Sequence, residues 1–116
     1  MAGSVAAVGL VAGIALATLG LAAAGSAAVV GQRLASAADA AALAAADTAS
    51  GAVAGVPCER AGELAETFGA RIVGCEVDGL IATVTVSLRF GPVSAETSAR
   101  AGPPPASHDR PPDRSP

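Results

Sequence analysis

Residues 71–89 read Arg-Ile-Val-Gly-Cys-Glu-Val-Asp-Gly-Leu-Ile-Ala-Thr-Val-Thr-Val-Ser-Leu-Arg. Two runs rich in β-branched residues flank Asp78-Gly79, and an Asp-Gly pair between such runs is the strongest short-range hairpin signal. A two-residue turn at Asp78-Gly79 pairs Val77 with Leu80, Cys75 with Ala82 and Val73 with Val84. These six residues share one face, extended by Val86 and Leu88. The other face carries Gly74, Glu76, Thr83, Thr85 and Ser87, with Ile72 and Ile81 as apolar exceptions. One face buried and one wet is what an antiparallel pair with a single covered side requires.

Upstream of the hairpin, residues 59–68 have helical spacing, with Leu64 and Phe68 four apart and Glu59 and Glu63 where the helix dipole favours acids. Gly69 is the expected C-cap. Cys58 stands at the start of this helix, and Cys75 points to the buried side of the hairpin on which it must pack. A bridge between Cys58 and Cys75 is expected, closing a loop worth about 3 kcal/mol in the chain-entropy model. It would put the domain in an oxidising compartment; the alternative is two buried free thiols.

Residues 1–32 contain no charged side chain. Within them, residues 5–30 would form a helix about 39 Å long, enough to cross the roughly 30 Å of bilayer hydrocarbon. Ten of these residues are Val, Leu or Ile, together worth about −3 to −6 kcal/mol toward insertion. A transmembrane helix is therefore expected. The alternative is a secretory signal, with small residues suited to cleavage at 22–24 and 25–28. The long apolar run and the lack of Arg or Lys at its start count against that alternative. Gly9, Gly13 and Ala17 form a small-residue stripe that allows close helix packing in lipid. Beyond Gln32 the chain is alanine-rich to residue 50, so one rod of membrane and aqueous helix is expected, broken by residues 51–57. Its charges are Arg33, Asp39 and Asp47, and a face this apolar, including Ala38 and Ala42, is either a packing surface for a partner or a spacer.

Residues 91–116 hold seven of the eight prolines and no large apolar residue beyond Val93, a composition that predicts a disordered tail. The single histidine, His108, lies there and is expected to be solvated. Net charge is −3 with no basic run, which argues against nucleic-acid binding. Two cysteines are too few for a structural zinc site, and no phosphate loop, nucleophile elbow or metal-spaced cluster is present. The chain is expected to be neither an enzyme nor a cofactor protein.

The fold expected is α+β. A single N-terminal transmembrane helix continues as a long alanine-rich helix (1–50), followed by a small helix-plus-hairpin domain (51–90) and a Pro-rich tail (91–116). The segment Ala38-Asp39-Ala40-Ala41-Ala42-Leu43-Ala44-Ala45-Ala46, after a membrane helix opening Gly3-Ser4, resembles the TadE/TadG-like proteins of Flp (tight-adherence) pilus systems. The short actinobacterial TadE-like type is the nearer likeness. Gly69-Ala70-Arg71-Ile72-Val73-Gly74-Cys75 and Val77-Asp78-Gly79 match the pattern of that type, and the similarity spans residues 3–90. In pilins cut by the prepilin peptidase a basic residue precedes the cleavage glycine and a glutamate follows five residues on. Here nothing basic precedes Gly3, and Val8 holds the later position.

The resemblance implies a minor pilin or a pilus or secretion-system assembly component, partnered by membrane lipid and by other subunits or a second copy. It would be a single-pass protein of the cytoplasmic membrane with its C-terminal domain outside; secretion after signal cleavage is the alternative. Arg33 alone would lean toward a cytoplasmic C-terminus by the positive-inside rule. The cysteine pair and the resemblance outweigh it.

Overall fold

Alanine has the highest intrinsic helix propensity, and no proline interrupts the first 56 residues. In the computed structural model, which describes residues 2–104, the first element is one unbroken helix, α1 (Ala2–Ala49). Residues 50–56 turn the chain back, and α2 (Pro57–Thr67) follows with proline in its first turn. The C-terminus of α2 is closed by bonds from the Phe68 and Gly69 amides to the Ala65 and Glu66 carbonyls, with Gly69 at φ +74°. Three strands complete the chain: β1 (Arg71–Asp78), β2 (Ile81–Phe90) and β3 (Val93–Ala101). They form one antiparallel sheet in the order β1-β2-β3. The fold is α+β, with the C-terminal third of α1 and all of α2 on one face of the sheet.

The core reads directly from the pleat. Ala82, Val84, Val86 and Leu88 of β2 point to the helices and are buried, while the intervening Ile81, Thr83, Thr85 and Ser87 are only half-covered. On the open face Thr85 Oγ1 and Ser98 Oγ hydrogen-bond at 2.6 Å across β2 and β3. Opposing the inward residues of β2 from above are Leu34, Ala37, Ala38, Ala41, Ala42, Ala45 and Ala46 of α1, with Ala61 and Ala65 of α2. Short side chains let the helix backbones lie close to the sheet, so each contributes little buried area and the fit depends on proximity. Thr48, the buried polar residue of this layer, donates its hydroxyl proton to the Ala44 carbonyl at 2.7 Å.

Four expectations need correction. The hairpin register is two residues further along than expected: Asp78 pairs with Ile81 and Val77 with Ala82, so the turn residues are Gly79-Leu80. Gly79 has φ +59° and Leu80 does not have a positive φ, the pattern of a type II′ turn, which matches the twist of the flanking strands. A shift of two preserves the inward set, so Cys75 still faces the helices. The second correction is a bulge between Ile72 and Gly74, which pairs Ile72 with Val86. The extra residue flips the alternation, seating Ile72 against the core and leaving Val73 51% exposed.

Third, the tail does not begin at Gly91. Gly91-Pro92 forms a second turn with Gly91 at φ +58°, and β3 pairs with β2 from Phe90↔Val93 to Ala82↔Ala101. Its inward residues Ala95, Thr97, Ala99 and Ala101 alternate with Ser94, Glu96, Ser98 and Arg100. The expected disorder of residues 105–116, His108 included, falls outside the described residues. The fourth correction concerns α1. Ala38 and Ala42 are 1% exposed because this chain's own sheet and α2 cover them. Much of the apolar rod is therefore the domain's core, and those two residues are not open to a partner.

Where the chain leaves β3, a Cβ built on Gly102 would lie 2.9 Å from the Leu80 carbonyl oxygen and 3.1 Å from the Ile81 Cα. Both are backbone atoms that cannot rotate aside. Gly102→Ala should therefore cost about 1–3 kcal/mol, the usual range for overpacking. Thermal unfolding of the two chains compares them, and an unchanged midpoint would mean that Gly102 is not held against the β1–β2 turn.

Candidate functional site

Residues 2–29 of α1 are exposed throughout, including Val5, Val8, Leu10, Val11, Ile14, Leu16, Leu19 and Leu21 at 58–76%. Mean hydropathy over the most apolar window is 2.3, and none of that window is buried. A helix apolar on all sides and covered by nothing in its own chain is either a membrane span or a signal sequence. The transition from bare to packed is sharp: Val30 leans on the core and Leu34 is 4% exposed. Gly9, Gly13 and Ala17 all lie in the bare part, with nothing within 4 Å of a Cβ built on either glycine. Thr18 and Ser26 in this part donate their hydroxyl protons to the Ile14 and Ala22 carbonyls, so neither leaves an open donor on the apolar surface.

Cys58 and Cys75 are joined, with their Cα atoms 6.0 Å apart. The bridge ties the first turn of α2 to the middle of β1, and beyond it β1 runs past the N-terminal start of α2, which leaves Val77 39% exposed although it faces inward. Arg60 closes the same corner. It pairs with Glu63 at 3.0 Å and donates to the Ala54 carbonyl at 3.4 Å, holding the α1–α2 loop against α2. Both side chains are solvent-exposed, so the pair is worth at most about 1 kcal/mol.

Asp39 remains exposed, at the edge of α1 that borders the end of β3. It lines a shallow depression together with Ala42, Leu43 and Arg100. Leu43 is 57% exposed on the same side. Among the described residues no three His, Cys, Asp or Glu side chains are grouped to hold a metal. The depressions lined by the described residues are open and shallow.

No family model matches the chain, and no curated protein or solved structure matches it. Several of the residues quoted for the sequence resemblance have a place in the packing. Residues 38–46 supply the alanines that line the core, Gly69 closes α2, Ala70 is buried, and Ile72 and Cys75 face the helices. Sequence reasoning missed β3, whose signals were the Gly-Pro turn and an alternation of alanine with polar residues.

Proposed function

We propose that the chain is a single-span membrane protein that holds a disulfide-closed domain outside the cytoplasm. Its role on this reading is that of a TadE-like minor pilin or assembly component of a pilus or secretion system, working by helix packing and not by catalysis. One observation carries the reading: α1 runs without a break from a bare apolar segment into the core of the domain. Anchor and domain are then one rigid body, so a partner that grips the helix inside the bilayer also positions the domain. With Ala38 and Ala42 taken up by the chain's own core, the Gly9, Gly13, Ala17 stripe is the part of the helix left for such packing.

A second reading also has an observation in its favour. The small-residue cleavage positions at 22–24 and 25–28 precede Val30 and Leu34, so a cut there would release the packed domain whole. Cross-linking separates the packing role from a bare anchor. A photo-activatable residue at Ala17 should give discrete adducts in the native cell, and Gly13→Leu should remove them without altering membrane insertion. If positions around the helix from 9 to 17 give no adduct, the span is an anchor only and the assembly role fails.

A further inference from the structure

The domain has two ends, and their surfaces differ. At the far end the Gly79-Leu80 turn and Gly102 lie beside Asp47 and Ser50 of α1. At the near end, where the bare part of α1 emerges, Gly69 and Arg71 lie beside Ser87 and Arg89. Strand β2 runs from the far end to the near end, so its turn into β3 points back along α1 toward the bare segment.

The reach can be estimated. Ala101 is level with Ala42, and the eight residues back to Val93 span about 26 Å of strand. The twelve residues of α1 from Ala42 back to Val30 span about 18 Å. Even inclined to the helix, the Phe90-Gly91-Pro92-Val93 turn reaches the level at which α1 leaves the domain. That tip is apolar, with Phe90 50% and Val93 60% exposed and directly paired across the turn. One of the chain's two aromatic residues is thus spent on an exposed turn. Arg33, Arg71 and Arg89 are exposed at the same end. Among the described residues the one ion pair is Arg60–Glu63, on the corner beside the α1–α2 loop. The acids nearest the tip are Glu66, beside Arg71 and Arg89, and Glu96, opposite Ser87.

We infer that the β2–β3 turn and Arg33, Arg71 and Arg89 form a docking surface for the anionic phospholipid headgroups of the membrane that α1 spans. The inference rests on the anchored reading above. The apolar run of residues 5–30 is about 39 Å long against roughly 30 Å of hydrocarbon, which brings the headgroup layer to the last turns of that run. Phe90 and Val93 enter the interface while the arginines meet lipid phosphates, the division of labour of an interfacial apolar tip flanked by basic groups. Docking fixes the tilt and rotation of the domain on the bilayer.

The chain contains no tryptophan, so single Trp variants report without background. The full chain would be placed in phosphatidylcholine–phosphatidylglycerol vesicles with brominated acyl chains. Phe90→Trp should be quenched and blue-shifted, Leu80→Trp at the far turn should be neither, and Leu10→Trp in the span should be quenched strongly. Adding Arg71→Gln and Arg89→Gln to Phe90→Trp removes two surface arginines, worth roughly thirtyfold in the docking equilibrium, and should abolish quenching at residue 90 while leaving that at residue 10. Quenching at residue 10 with none at residue 90 would overturn the docking and leave the anchor standing. No quenching at residue 10 would overturn the anchor and the docking together. Quenching at residue 90 that ignores both arginine changes would overturn the assignment to anionic headgroups.

Discussion

Cys75→Ser should destabilise the domain by about 2–5 kcal/mol, enough to leave it largely unfolded at growth temperature. The bridge closes a separation of 17 residues, worth about 3 kcal/mol through restriction of the unfolded chain. Its weight is large because the rest of the core is thin. Val84 and Val86 are the largest fully buried side chains, and most of their neighbours are alanines. Few apolar atoms therefore leave water per residue fixed, and small domains of this kind depend on staples. Hydrogen exchange reads the effect separately from the bare apolar part of α1. Amides of β2 should exchange roughly thirtyfold faster or more in the variant. Unchanged protection in β2 would mean that the alanine-lined core holds without the bridge.

Overpacking gives the second large effect. Ala37, Ala41 and Ala45 are each 0% exposed, on the side of α1 pressed to the sheet. Ala41→Leu adds three carbons where no space exists, and should cost about 1–3 kcal/mol or force α1 off the sheet. Ala35→Leu, on an exposed position of the same helix, should change stability by less than about 0.5 kcal/mol. The pair of variants separates steric fit from helix propensity, which disfavours both substitutions slightly and nearly equally. Equal stability of the two would show that α1 does not lie against the sheet through its alanines.

How much of this was legible in the sequence differs by element. The long helix, its break after residue 50, the Gly69 cap and the inward direction of Cys75 follow from propensity, turn chemistry and pleat, and all are present. The register was displaced because Asp78-Gly79 suits a turn at its own position, yet the chain turns at Gly79-Leu80, where a single left-handed residue suffices. Ile72 looked like an apolar residue on the wet face, and that misfit was the trace of the bulge beside it. Strand β3 escaped notice because its inward residues are mostly alanine, so its alternation has little amplitude, and because prolines at 103–105 coloured the whole segment. The same strand explains the alanine face of α1. Without it that face had no cover and invited an external partner; with it, Ala38 and Ala42 are interior residues.

The central claim is that one helix serves as membrane span and domain core, with the domain in an oxidising compartment. Fractionation of the native cell followed by intact-mass measurement under alkylating conditions tests it most directly. The account predicts a chain that resists alkaline carbonate, leaves the membrane only with detergent, retains residues 5–30 and carries no alkylated cysteine. A chain recovered free in the medium that begins near Gly25 or Val29, or a membrane-bound chain with both cysteines alkylated, would contradict it.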